Sequence, residues 1–273
     1  SMVEPSWQLQ LFKRSIKKKD KVDLLQKNLS LQSEEKILDL GCAQGLISFL
    51  LKQKGGFWTH ADLDHQNLLT ARSLLKNNLV QTDSSQLPFR SASFETVLCL
   101  DYLEHVEDDE ICLAEINRIL TPRGRLILAV PQTGPFFLLH KVRPLLGIKL
   151  ADYGHKREGY RLTQLREMLT RQGFEIEKHT SFAKFFSELI ELLLNFIYMK
   201  ILSPQKKVQL RDGHIRPMSA DEFAQQKKSF RLYSLVYPLL WSLSRLDKLL
   251  FWQRGYSLIV WAKKIPSLEN RQE

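Results

Sequence analysis

Two glycines and one aspartate carry the clearest chemical signal in this chain. The run Ile37 to Gly45 reads ILDLGCAQG, and Asp62 follows seventeen residues later within THADLDHQNLL. Gly41 and Gly45 bracket a tight turn in which backbone can approach a ligand closely. Asp62 closes a second apolar run, Phe57 to Ala61, where a carboxylate can accept two hydrogen bonds from a ribose diol. Together they describe a crevice for a nucleoside-containing ligand. Two histidines are placed for proton transfer beside it. His105 follows the apolar run ending at Leu100, and His155 lies beyond the run ending at Val130. Unperturbed imidazole titrates at about pH 6.5, which suits a general base.

The surrounding patterns position these residues. Helical periodicity over Leu46 to Lys54, His65 to Lys76, Asp108 to Leu120 and Thr163 to Gln172 alternates with short apolar runs, the last of them Phe174 to Thr180. That alternation predicts an α/β fold, a doubly wound parallel sheet with helices on both faces. Ligands then bind at the C-terminal ends of the strands.

Residues 80 to 131, from VQTDSSQLPF through LCLDYLEHVEDD to LTPRGRLILAVP, extend the pattern, and with ILDLGCAQG the chain resembles the class I S-adenosylmethionine-dependent methyltransferases. The resemblance runs over about residues 33 to 182 plus a closing strand. It implies a Rossmann-like, seven-stranded sheet whose last strand is antiparallel, with YSLIVWA (Tyr256 to Ala262) as that strand. Residues 183 to 254 then form a helical insertion between strands six and seven. It also implies S-adenosylmethionine as cofactor, with no metal. In this family Asp39, Gly41, Ala43 and Gly45 would form the cofactor loop, and Asp62 with Leu63 would hold the ribose. Asp83 and Ser84 would flank the adenine, and the Leu100 backbone would receive the methionine amine. Ala43 departs from the glycine common there, which tempers affinity.

Methyl transfer from a sulfonium needs alignment and, for a hydroxyl acceptor, removal of a proton. His155 and His105 are the candidate catalytic residues. Asp101, Tyr102, Tyr153, Arg157 and Tyr160 are the candidate substrate contacts. The chain lacks the Asn/Asp-Pro-Pro-aromatic motif of nucleobase amine methyltransferases and the double-glutamate loop of arginine methyltransferases. A small or lipid-like acceptor is therefore expected, probed most simply as O-methylation. A nucleic-acid methyltransferase and a silent cofactor-binding scaffold are the alternatives.

The net charge of +10 is uneven. Residues 1 to 30 hold seven Lys/Arg against three Asp/Glu, residues 183 to 254 hold twelve against six, and the rest balances. Four regions are expected: a basic amphipathic helical cap (1–32), the cofactor-binding core (33–182), the insertion (183–254) and a closing strand with tail (255–273). The apolar stretches FFSELIELLLNFIYMKIL and LYSLVYPLLWSLSRLDKLLFW are interrupted by Glu188, Glu191 and Lys200, and by Pro238, Arg245, Asp247 and Lys248. They suit a lid or helices dipping into a membrane interface rather than spans. Between them, residues 206 to 228 read as a polar, mobile connection in which Ser219 could cap a helix. An anionic membrane surface is thus an expected partner, and nucleic acid is not, because the aromatic residues are not interleaved with the basic ones. Cys42, Cys99 and Cys112 have no paired spacing and read as buried, reduced thiols. The seven histidines show no ligand-spaced cluster. Ser1 ahead of Met2 resembles an expression scar, and no signal-peptide core follows. A cytoplasmic protein, peripheral on the inner face of a membrane, is expected.

Overall fold

The computed structural model describes residues 6–147, 155–197, 210–211, 214–215 and 219–266. Two helices, α1 (Trp7–Phe12) and α2 (Ile16–Asn28), come first. Then strands and helices alternate as β1 (Lys36–Leu40), α3 (Leu46–Leu51), β2 (Phe57–Asp62), α4 (His65–Leu75) and β3 (Leu79–Gln81). They continue as β4 (Phe94–Leu100), α5 (Asp109–Ile119), β5 (Leu120–Pro131), α6 (Leu138–Leu145), α7 (Leu162–Arg171) and β6 (Phe174–Phe182). Helices α8 (Phe185–Ile197), α9 (Ala220–Gln225) and α10 (Lys227–Ser244) precede the last long strand, β7 (Ser257–Lys264).

The chain divides into two compact units. The core unit comprises Asn28–Gly134, His155–Ser181 and Ser257–Glu273. Its seven strands lie in the order β3-β2-β1-β4-β5-β7-β6. Strands β1 to β5 pair in parallel, and β7 runs antiparallel to β5 from Arg125↔Lys263 to Pro131↔Ser257. The α/β architecture and the reversed last strand are those expected. Parallel strands need helical crossovers, which is why β-branched and leucine-rich runs alternate with amphipathic helices here. Leu38, Leu40, Val97, Leu126, Leu128, Leu258 and Val260 of the strands share one buried cluster with Leu113 and Ile116 of α5 and Leu165 and Leu169 of α7. Each such side chain stabilises the fold by about 1.5–3 kcal/mol through burial.

The helical unit comprises Ser1–Lys27, Pro135–Gly154 and Phe182–Tyr256. The segment carrying α6, read from sequence as part of the core, groups here. Inside this unit Ile16 of α2 packs with Ile190 of α8 and Tyr237 of α10, while Phe137 and Leu139 pack with Leu192 and Tyr256. Asp247 explains its own place in an apolar stretch. Its carboxylate accepts backbone N–H groups from Lys184 at 2.9 Å, Phe186 at 2.8 Å and Ser187 at 3.2 Å, satisfying donors at the start of α8. Ser219 caps α9 reciprocally with Glu222. Within the stretch read as a mobile connection, Leu210–Arg211 pairs antiparallel with His214–Ile215 and α9 is helical; residues 206–209, 212–213 and 216–218 lie outside the described residues.

Three of the N-terminal lysines turn inward, while Lys13 and Lys18 stay exposed. Lys17 pairs with buried Glu188 at 2.9 Å, Lys19 lies 4.2 Å over the Trp241 ring, and Lys21 is buried. The aromatic and acidic residues of α8 and α10 draw these cations inward. Among the described residues no helix is long and apolar enough to cross a membrane.

Candidate functional site

The glycine turn joins β1 to α3. Gly41 has φ +80°, Ala43 +47° and Gly45 +77°, so three left-handed residues fold the loop back over the strand end. At Gly41 an added Cβ would lie 2.4 Å from Tyr102 Cδ2, so the tyrosine ring fills the space that a side chain would need. Asp62, at the tip of β2, closes the loop from the other side. Its Oδ2 accepts the Ala43 N–H at 2.8 Å, and its Oδ1 accepts the Asp64 N–H at 2.9 Å and Asn67 Nδ2 at 3.1 Å. A carboxylate offers about four acceptor positions, so one remains for a ligand hydroxyl. Leu63 follows, half-buried, and its carbonyl accepts from Gln81 Nε2 at 3.1 Å.

Register explains a buried polar chain beneath this loop. Asp39 on β1 lies opposite His60 on β2, so both side chains leave the sheet on one face. There Ser48 of α3 stands between them. Its hydroxyl donates to Asp39 Oδ2, which leaves His60 Nδ1 to donate to Ser48 Oγ at 2.9 Å. His60 is thus the neutral Nδ1–H tautomer. Burial pushes the Asp39 carboxyl up to about 6, the Ser48 hydrogen bond pulls the other way, and the Asp62 charge adds to the rise. Burial, with Lys52, pushes His60 down to about 4. Asp62 is raised too, by burial against its three hydrogen bonds.

After β3, exposed Asp83 accepts from Ser85 N–H at 2.8 Å and from the Ser85 hydroxyl at 2.5 Å, and these bonds hold its carboxyl below the usual range. Ser84 is buried next to it. Leu100 ends β4, buried, and exposed Asp101 follows with φ +51°, its N–H donating to Ala129 O at 2.9 Å. Tyr102, expected as a substrate contact, turns inward instead. It is buried against Gly41 and bonds Ser84, and burial raises its hydroxyl well above the ordinary range.

The loops after β4 and β5 meet. His105 and His155 are edge to face with ring centroids 4.8 Å apart. Lys156 N–H donates to Glu104 O at 2.9 Å. Arg157 and Tyr160, expected to grip substrate, brace these loops. Arg157 bonds Asp109, and donates to Val106 O at 2.9 Å and Glu107 O at 3.0 Å. Tyr160 is fully buried with its hydroxyl 2.9 Å from Asp109 Oδ2. A ring with no exposed surface cannot face a substrate. Tyr153 lies outside the described residues.

The comparisons follow this geometry. A family model described as a methyltransferase domain matches residues 38–128, the stretch from β1 to the middle of β5. A ubiquinone biosynthesis O-methyltransferase of Xylella fastidiosa is 28% identical over 58% of this chain and 67% of its own length. A candidate methyltransferase crystal structure from Bacillus halodurans superposes with a TM-score of 0.57 at 20% identity, covering 90% of this chain and all of the other. The [4+2]-cyclase SpnF superposes at 0.58 with 16% identity, covering 92% of this chain and 82% of its own. These two likenesses concern the fold alone. The matched stretch and the sheet built on it are those of a class I S-adenosylmethionine-dependent methyltransferase domain.

As such a methyltransferase it has residues that fit the cofactor. Asp39 and Asp62 are both buried and repel one another, and a ligand bearing a sulfonium and an ammonium relieves both. The free acceptor position on Asp62 and the exposed Asp83 carboxylate suit the nucleoside hydroxyls and amine. When bound, the cofactor supplies an activated methyl group. The three cysteines of this methyltransferase are free and buried, and burial drives every thiol upward, Cys112 to about 12. They are inert packing.

Sequence spacing did not reveal two features of the methyltransferase. Ser48 and His60 look like ordinary helix and strand residues until register aligns them with Asp39. The approach of Glu104 and His105 to His155, with side-chain ligand atoms within 4.8 Å of one another, escapes notice because the two stretches are far apart in sequence.

Proposed function

We propose that the chain methylates a hydroxyl oxygen on a small, lipid-like acceptor. The observation that carries this reading is the His105–His155 pair, brought to the C-terminal ends of β4 and β5 in the unit that also holds the cofactor loop. An oxygen acceptor must shed its proton as the carbon–sulfur bond breaks, and imidazoles are the side chains that handle a proton at neutral pH. The name of the Xylella relative supports a hydroxyl on a quinone-type ring as the acceptor.

Helix α10 supports the lipid-like character of the acceptor and a peripheral place on an anionic membrane face. Leu232, Leu235, Val236, Leu239, Leu243 and Leu246 recur at helical spacing, and all are exposed, Leu235 by 79%. Phe251 and Trp252 follow, exposed by 83% and 70%. A contiguous apolar stripe of this kind marks a surface that something covers. Exposed Lys227, Lys228, Arg231, Lys248 and Arg254 accompany it, as interfacial helices on anionic lipid require.

The test combines labelled S-adenosylmethionine with prenylated phenols and catechols, with and without anionic vesicles. A methyl ether formed in equal amount with S-adenosylhomocysteine is expected, faster on vesicles. Methyl transfer only to nitrogen or carbon acceptors overturns the reading, and sedimentation indifferent to vesicles overturns its membrane part.

A further inference from the structure

Glu104, His105 and His155 present one carboxylate oxygen and two imidazole nitrogens that all lie within 4.8 Å of one another. We propose that these three residues bind a divalent first-row transition cation. Two imidazoles and one carboxylate form a mixed nitrogen and oxygen set suited to Zn²⁺, Mn²⁺ or Fe²⁺, and three protein ligands leave a position open for a small molecule.

The geometry is close to that of a loaded site. Bonds of about 2.0–2.2 Å place tetrahedral ligands roughly 3.4 Å apart, so side-chain rotations bringing the atoms together by about 1 Å complete it. The backbone is already braced for the purpose. Glu104 and His105 sit on one turn, Leu103–His105, while Lys156 next to His155 donates to Glu104 O at 2.9 Å. Arg157 then anchors the same loop to Val106 O and Glu107 O, and Tyr160 anchors it to Asp109. Glu104 is only 1% exposed, and a carboxylate at that depth is stabilised by a cation. Both histidines are half-buried, which leaves the outer side of the cluster accessible.

The ion's task rests on the hydroxyl-methylation reading. A hydroxyl oxygen in the open position loses its proton to solvent more readily, because the cation favours the anion. The oxygen then forms the new bond to the methyl carbon as the carbon–sulfur bond breaks, and the neutral thioether departs. With the ion bound the imidazoles serve as its ligands, and the proton-handling role given to them above passes to the ion.

The experiment titrates the metal-stripped, tag-free chain with Zn²⁺ and with Mn²⁺ by calorimetry, beside His155→Ala, His105→Ala and Glu104→Gln. S-adenosylmethionine binding by each variant reports that it is folded. One ion per chain is expected, with affinity at least about tenfold weaker in each variant. Co²⁺ should give visible absorption that the histidine variants lack. Ion uptake that survives all three substitutions, or no uptake by a chain that still binds S-adenosylmethionine, overturns the site. Uptake to which methyl transfer is indifferent upholds the site and overturns its task. Uptake by a chain that does not bind S-adenosylmethionine upholds the site and strikes the parent reading.

Discussion

Asp62 Oδ2 accepts the backbone N–H of Ala43 at 2.8 Å, which ties the tip of β2 to the turn that follows β1. The carboxylate expected to hold the ribose is therefore also a fastener of the glycine turn. Asp62→Ala removes both roles, whereas Asp62→Asn keeps one acceptor and places an amide against an N–H. Each hydrogen bond to a charged group contributes about 1.5–3 kcal/mol. Asp62→Ala should weaken S-adenosylmethionine binding by about a hundredfold or more and speed amide exchange at Ala43, both measurable on one sample. Unchanged exchange at Ala43 would separate the two roles.

Gly41 and Tyr102 form a second testable pair. Gly41→Ala places a methyl group in the tyrosine ring and holds a non-glycine residue at φ +80°, a penalty of about 1–3 kcal/mol for the backbone alone. In a Tyr102→Ala background only the backbone part should remain. A denaturation cycle over the four chains should show a coupling of about 1–2 kcal/mol. Strict additivity would mean that the ring does not limit the loop.

Asp39 and His60 oppose one another in their pH dependence. Asp39 has a folded value near 6. The folded chain takes up its proton before the unfolded one, so stability from this group rises as pH falls from about 6 to about 4. His60, near 4, behaves in reverse. The unfolded chain is protonated first, so stability falls as pH drops from about 6.5 to about 4. Relative to wild type, Asp39→Asn should gain about 2–3 kcal/mol near pH 7 and lose that gain by about pH 4. His60→Gln should recover by a similar amount over the same range. Chemical denaturation across pH checks both slopes, and parallel curves for all three chains would refute the argument.

Glu188 holds Lys17 and Arg143 together within the helical unit. Burial works against its charge, but the two cations outweigh it, so its carboxyl lies below the usual range. A lowered carboxylate contributes stability above its unfolded value and loses it as pH falls. Glu188→Gln should destabilise by about 2–4 kcal/mol near neutral pH and by little in acid, since both cations are partly solvated. Thermal unfolding at two pH values decides this.

Much of this was legible in the residues. The alternation of periodicities located β1, β2, α4 and α7 within a residue or two, because each buries one stripe against a neighbour. YSLIVWA was legible as the closing strand, although Tyr256 belongs to the helical unit and pairing begins at Ser257. Helix α6 was not, being eight residues long with Pro144 in its last turn. The meeting of His105 with His155 depends on two loops converging, which no local pattern encodes. The inward use of Lys17 and Lys19 depends on which aromatic and acidic residues face α2, and that too is tertiary.

Strand β7 lies between β5 and β6 in the sheet, yet it is synthesised after everything from Gln132 to Tyr256. At about 5–20 residues per second, the ribosome leaves the hydrogen-bonding edge of β5 waiting on the order of ten seconds for its partner. Throughout that interval β5, rich in Leu, Ile and Val, carries an unpaired edge, which invites pairing with another chain. Production of this protein should accordingly depend on how long that edge is shielded, and slowed translation beyond Phe182 should send more of it into aggregates.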